Sequence, residues 1–367
     1  MRKKYNYNLI PRGFKPVRTH MVFDIKYDGR FKCRLVADGN MTDVPVDSVY
    51  SGVVSLRGFR MCLFVAELNG LQSYATDITS AYLESYTTER LYVKAGNEFG
   101  DLAGHHLIVS KALYGLRSSG LRFNELLGRC LTKLGFKRSK CEDDIWIREA
   151  DEHYDLVATY VDDLLIVGKD VMKLLSQLQA EPFNFKLKGT AKIENTVHLG
   201  CGFTRDSDGQ LCMNPDQYIK RMEDSYNQRF PGEKLNRKIS SPLEPGDHPE
   251  LDTSEFLDQD GTEIYQSLIG AFQWAITIGR WDIQTAVMTM SSFRAQPRVG
   301  HLLRVKRIYN YIINRRHYLI RFNVKEPNYN DVPENRSDWS NTPYGNEKED
   351  LPTDVPKPKG NGVVLSH

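Results

Sequence analysis

The stretch "ATYVDDLLIV", residues 158–167, sets two adjacent acids, Asp162 and Asp163, between two apolar runs. Leu156, Val157, Ala158 and Val161 lead in; Leu164, Leu165, Ile166 and Val167 lead out. Runs this apolar predict buried strands. Strand, two-acid turn and strand make a hairpin with both carboxylates at its tip. An isolated Asp-Asp pair is ordinarily a surface turn, but these flanks are too apolar for an exposed loop. Buried carboxylates are costly unless something positive compensates them, so the tip calls for a cation.

A second acid in a comparable setting is Asp77, after "SYAT" and before "ITSAYL". Taken alone it could cap a helix. If the strand "LQSYATDI" (71–78) lies beside the hairpin, Asp77 and Asp162 converge. Two carboxylates a few ångströms apart do not both stay ionised without a cation between them. A pair of Mg²⁺ ions about 4 Å apart would supply it, the apparatus of phosphoryl transfer.

The rest of the chain supports a mixed fold. Residues 21–37 alternate and break at Asp28-Gly29, a hairpin signal. Helical spacing marks 52–68, and 121–135 read as a helix closed by Gly135. Strands are expected at 106–110, 143–149, 155–160 and 183–189, and over 198–214 around a Ser-Asp-Gly turn. A helix is expected from Asp170 to Leu178. From Pro215 the chain becomes mainly helical, with a polar connection over 231–260. The proline-rich segment 326–367 has the composition of a linker rather than a core.

The chain has 367 residues, 40% hydrophobic and 26% charged, enough for two or three subdomains with real cores. The net charge is only +2, so its distribution matters more. The first forty residues are rich in Lys and Arg, and residues 301–325 carry seven basic residues and no acid. Either patch alone reads as a solvated face; two of them flanking an acidic site suit a polyanion. The six cysteines form no CxxC pair, which suits reduced, mostly packed thiols. No apolar run reaches membrane-spanning length and no secretory signal is visible, so an intracellular protein is expected.

With these segments placed, "YVDDLLIVG" resembles the polymerase hairpin of reverse transcriptases. The order of segments resembles the copia-like class of LTR retrotransposons. "FKCRLVADG" is similar to the fingers segment, "ATDITSAYLES" to the first catalytic motif, and "SKALYGLRSSGLRF" to the template- and nucleotide-packing motif. "HLGCGFTRD" is similar to the primer grip. "YQSLIGAFQWAITIGRWDIQTAV" and "HLLRVKRIYNYI" are similar to the C-terminal helices of that class. Six motifs in one order are far more specific than the YxDD tetrapeptide alone.

The resemblance implies roles. Asp77, Asp162 and Asp163 would be the catalytic and metal-binding acids, Asp163 with the weaker metal role. Tyr82, Arg34, Lys32, Gly115 and Tyr160 would meet the incoming dNTP. Tyr82 would exclude a ribose 2′-OH, Arg34 and then Lys32 would face the triphosphate, and Gly115 would let backbone approach the nascent pair. Lys186 or Lys188 would protonate the leaving pyrophosphate. Gly200 would lie in the primer grip. Arg304, Arg307, Arg315 and Arg316, with no acid near them in sequence, would meet phosphates. Two departures stand out: Gly120 where the motif usually has proline, and Tyr114 where retroviral relatives carry glutamine.

The implied architecture is an α+β right-hand polymerase with a ferredoxin-like palm sheet. After an N-terminal extension (1–14), fingers and palm would fill 15–206, with fingers at 15–70 and 88–118 and palm at 71–87 and 119–206. A helical thumb or connection would take 207–325. Residues 326–367 would be an acidic lead-in to a ribonuclease H domain, making the sequence a piece of a longer polyprotein. The cofactor would be two Mg²⁺ ions, with Mn²⁺ a substitute. The partners would be an RNA template, a DNA primer and dNTPs, with no membrane, in the cytoplasm (a virus-like particle in the family) or the nucleus. The rivals are an inert retrotransposon relic that only binds nucleic acid, another two-metal palm enzyme such as a nucleotide cyclase, and a purely structural protein.

Overall fold

The structure, a computed structural model, describes residues 10–25, 29–44, 49–234, 236, 238–325, 341, 343, 345 and 359. The first nine residues, the turn expected at Asp28 and nearly all of the 326–367 lead-in lie outside the described residues. Two compact units are present, one within Met1–Cys62, Thr76–Thr190 and Pro356–His367, the other within Leu63–Ala75 and Ala191–Val355.

The chain begins with β1 (Lys15–Pro16), β2 (Thr19–Ile25) and β3 (Phe31–Ala37), then α1 (Leu56–Leu68), β4 (Gln72–Ile78) and α2 (Ala81–Glu84). There follow β5 (Leu91–Lys94), β6 (His106–Ile108), α3 (Ser119–Lys133), β7 (Lys137–Arg138), β8 (Ile145–Glu149), β9 (Tyr154–Tyr160) and β10 (Asp163–Gly168). The helix α4 (Val171–Gln179) and β11 (Leu187–Lys192) complete the series. β2 and β3 form the expected hairpin, Thr19 opposite Ala37 and Ile25 opposite Phe31.

The main sheet has six strands in the order β11-β4-β10-β9-β8-β7. Its first four, with α3 between β4 and β9 and α4 between β10 and β11, are a βαββαβ unit. This is the expected ferredoxin-like topology, extended by β7 and β8. The apolar runs explain the central position of the acidic hairpin. Leu156, Val157, Ala158, Leu164, Leu165, Ile166 and Val167 are all buried, as strands covered on both faces require. The helices start and stop where local chemistry dictates. Asp170 Oδ1 accepts the Lys173 amide at 3.1 Å and caps α4, while Gly135, at φ +90°, ends the segment after α3. The strand expected over 183–189 begins only at Leu187: Asn184 takes a left-handed backbone at φ 53° and Phe185 turns into the core.

The second unit contains β12 (Val197–His198), β13 (Cys201–Arg205), β14 (Leu211–Asn214) and β15 (Ile320–Arg321), an antiparallel sheet in that order. Its helices are α5 (Asp216–Arg229), α6 (Gln259–Thr277), α7 (Gln284–Ser291) and α8 (Val299–Asn314). They close on a core that includes Met222, Tyr226, Phe272 and Tyr309; the Tyr309 ring lies 4.8 Å from both the Tyr226 and Phe272 rings. The palm boundary expected at 206 differs from this division. Residues 191–206 fall in the helical unit, because β13 pairs with β14 and β14 with the late strand β15. The 207–325 segment is therefore helical with two strands. All six cysteines are free, four of them buried, and no described helix is long and apolar enough to cross a membrane.

Candidate active site

The hairpin register pairs Tyr160 with Asp163, leaving Val161 and Asp162 as a two-residue loop. Val161 has φ 56°, so the turn belongs to the class with a left-handed first residue, which follows strand twist. A β-branched side chain rarely takes that backbone. Beside the tip runs the end of β4. The Ile78 amide donates to the Asp162 carbonyl at 2.8 Å, and the Thr79 amide to the Lys186 carbonyl at 2.8 Å. Asp77 is thereby carried to the same end of the sheet as Asp162 and Asp163, as expected.

The three carboxylates feel one another. Burial raises the Asp162 carboxyl above its ordinary range, and Asp77 adds to the shift. Burial pushes Asp163 up to about 6, with Asp162 and Asp77 contributing. Lys188 opposes both shifts, and its Nζ stands 2.8 Å from Asp77 Oδ1. That contact is an ion pair without hydrogen-bond alignment: Asp77 Oδ1 is buried and accepts no hydrogen bond. Lys32, on β3, also lowers the Asp162 carboxyl. No three His, Cys, Asp or Glu side chains form a ready cluster for a metal among the described residues. The donor chemistry nevertheless suits a hard cation. Mg²⁺ is commonly held by one or two carboxylates, with substrate phosphates completing the shell.

A cleft of about 420 Å³ opens on the acids. Asp162, Asp163, Tyr160 and Val161 line one side; Arg34, Tyr82, Tyr114 and Gly115 line others. The Tyr82 and Tyr114 rings lie 5.0 Å apart, and Tyr82 also meets Phe123 edge-on at 6.4 Å. Burial raises both phenols, as does the nearby Asp162. Gly115 also has a local packing task. Its backbone is at φ +89°, and a Cβ there would come within 2.1 Å of the Ala37 carbonyl. The glycine lets Tyr114-Gly115 pack on the end of β3.

Residues 2–228, well over half the chain, match the family described as reverse transcriptase (RNA-dependent DNA polymerase). The chain belongs to the reverse transcriptase family. The chain is 26% identical over 334 residues to the retrovirus-related Pol polyprotein from transposon TNT 1-94 of Nicotiana tabacum, covering 85% of this chain and 24% of that one. It is 27% identical over 250 residues to the putative transposon Ty5-1 protein of Saccharomyces cerevisiae, covering 67% and 78%. It is 27% identical over 305 residues to the Pol polyprotein from transposon RE1 of Arabidopsis thaliana, covering 81% and 20%. The chain thus spans about a quarter or less of the two plant polyproteins, and the resemblance to the copia-like class holds. Among solved structures, a foamy viral protease-reverse transcriptase in complex with double-stranded DNA aligns with TM-score 0.44 and 13% identity, covering 81% of this chain and 44% of that one. Reverse transcriptases use divalent metal ions.

The other expected residues fall as follows. Lys188 reaches the acids, whereas the Lys186 side chain is exposed and only its carbonyl serves the site. Gly200 lies in the second unit, in the tight turn between β12 and β13, at φ +78° beside Leu199 at φ 48°. The basic face of α8 needs correction. The expected Leu302, Val305, Ile308, Tyr309 and Ile312 do face the core, but the arginines have acids. Arg304 Nε and Nη2 each donate to Asp247 at 2.8 Å, and Nη1 donates to Asp252. Arg307 pairs with Glu244, and Arg316 lies 3.7 Å from Glu223. The acids for Arg304 and Arg307 come from the 231–260 connection, which folds back along α8. Arg315 is exposed at the helix end. The sequence reading named Tyr114 only as a departure within the packing motif; the structure places it in the cleft lining.

Proposed function

We propose that this cleft binds a dNTP beside a primer–template duplex and adds a dNMP to the primer 3′-OH, copying RNA into DNA. The observation that carries the reading is a cleft lined by Asp162, Asp163, Arg34 and two tyrosines, with Asp77 close enough to the two acids to raise their carboxyls. The oxygen of the 3′-OH would attack the α-phosphorus, and the bond to the β-phosphate would break to release pyrophosphate. Asp77 and Asp162 would hold two Mg²⁺ ions, or Mn²⁺ in their place, which supply Lewis-acid stabilisation of the developing negative charge when bound. Asp163 keeps the site's negative charge close to the other two acids.

The remaining groups bind and orient. Arg34 and Lys32 extend from the fingers hairpin with charge complementary to a triphosphate. Tyr82 closes the sugar side of the cleft. Lys188 is better placed than Lys186 to give a proton to the departing pyrophosphate, since it already neighbours the acids. Catalysis of this kind rests on position and electrostatics rather than on a covalent intermediate. Purified chain should extend a DNA primer on an RNA template with dNTPs and Mg²⁺. Binding of the duplex without extension would mark it instead as a nucleic-acid-binding relic.

A further inference from the structure

The turn between β8 and β9 lies at the end of the main sheet away from the acids. β9 starts at this turn and ends at Tyr160, beside the acidic hairpin; a strand of that length spans about 20 Å. Glu149 pairs with Tyr154 across the turn, and the Ala150 amide donates to the His153 carbonyl at 3.0 Å. A buried carboxylate ties the two strands together: Asp155 accepts from Arg148 Nη2 at 2.8 Å and lies 3.1 Å from His153 Nε2. An ammonium sits on this braced turn. Lys359, one of the few described residues of the 326–367 segment, donates from Nζ to the Ala150 carbonyl at 2.7 Å and to the Asp151 carbonyl at 3.2 Å. The same Nζ lies 2.7 Å from Glu149 Oε1. The three donors of an ammonium thus meet three oxygens. The Lys359 side chain is only 22% exposed, and its hydrogen bond holds the Glu149 carboxyl below the ordinary range.

We infer that the β8–β9 turn is a lysine-binding site that anchors the C-terminal segment of this chain to the sheet through Lys359, at the end opposite the acids. Two backbone carbonyls and one carboxylate around a single nitrogen suit the compact ammonium of lysine better than a planar guanidinium. The turn reads "EADEH" over 149–153, so its local charge also favours a cation. The lysine lies in "VPKPKG", 355–360, where two prolines lessen the entropy that a free chain loses on docking. Position 359 is thereby held at the far end of β9 from the cleft.

The test is limited trypsin digestion of the full chain, read by mass spectrometry as release of the fragment 360–367. Trypsin must take the Lys359 side chain into its own pocket, and it does not cut at Lys357, which precedes Pro358. Cleavage therefore reports the fraction of chains in which Lys359 has left the turn. Release from the parent should be about tenfold slower than from a synthetic peptide of residues 350–367. Glu149→Gln, which removes the carboxylate charge, should speed release by about threefold. Asp151→Asn, which keeps all three oxygens and removes a neighbouring charge, should leave the rate at that of the parent. Release from the parent at the peptide's rate, or an unchanged rate in Glu149→Gln, overturns the anchor. Equal acceleration by Asp151→Asn and Glu149→Gln overturns it too, since that outcome marks a diffuse negative field rather than a site.

Discussion

The Ile78 amide is hydrogen-bonded to the Asp162 carbonyl at 2.8 Å. This one bond places the end of β4 against the tip of the acidic hairpin, so acids eighty-five residues apart in sequence share one cluster. The proposed chemistry follows from that juxtaposition, and each of its parts can be tested.

Asp162→Asn should abolish primer extension while leaving the fold intact. The amide keeps the shape of the carboxylate and removes its charge. The Ile78 bond goes to the backbone and survives the change. Extension assays and thermal melting on the same preparation decide the point. Extension at the parent rate would remove Asp162 from the machinery.

Stability should carry the mark of Asp163. Its folded carboxyl sits at about 6 against an ordinary 3.8. Between those values the folded chain keeps a proton that the unfolded chain has lost. Stability from this group therefore falls as pH rises through that window and stays lost above it. Asp163→Asn should raise the melting temperature at about pH 7.5, with a smaller gain near about pH 5. A gain independent of pH would contradict the raised carboxyl.

Tyr82→Ala should lower the preference for dNTP over rNTP by about tenfold or more. The ring lies against Tyr114 and Phe123, a setting that leaves it little room to yield to a 2′-OH. The ratio of kcat/KM for the two nucleotides measures this. An unchanged ratio would make Tyr82 a packing residue only.

Arg304→Ala should destabilise the helical unit by roughly 2 kcal/mol, because the half-buried Asp247 and Asp252 lose their charge-assisted hydrogen bonds. Arg307→Ala should cost less than about 1 kcal/mol, since its partner Glu244 is largely exposed. Neither change should alter the salt dependence of duplex binding. Denaturant unfolding and binding titrations over a range of salt check both statements. A salt slope flattened by Arg304→Ala would return that residue to the phosphate-facing role.

The acidic hairpin was legible because its signals are local: apolar runs on both sides of an acid pair dictate buried strands that carry the acids at a half-buried tip. The βαββαβ order was legible through the motifs rather than through the periodicity. What could not be read was pairing over distance. Arg304 finds Asp247 and Asp252, 57 and 52 residues earlier, in a polar connection that carries no periodic signal. Tyr114 bridges by its backbone to Val36, a pairing that no spacing announces. The strand after Pro182 was misplaced for a local reason, the left-handed turn at Asn184.

Val161 adds a consequence for how this site can vary. A valine at φ 56° stores strain of about 1–3 kcal/mol, so the turn does not hold its shape by itself. The ladder between β9 and β10, with its buried Val157, Leu165 and Ile166, holds it. Mutational sensitivity should therefore run down both strands, well away from the acids. Substitutions that loosen the ladder would let the tip relax, and catalysis would decline before the fold does. Tolerance measured position by position along the hairpin would trace a gradient set by mechanical support rather than by distance from the chemistry.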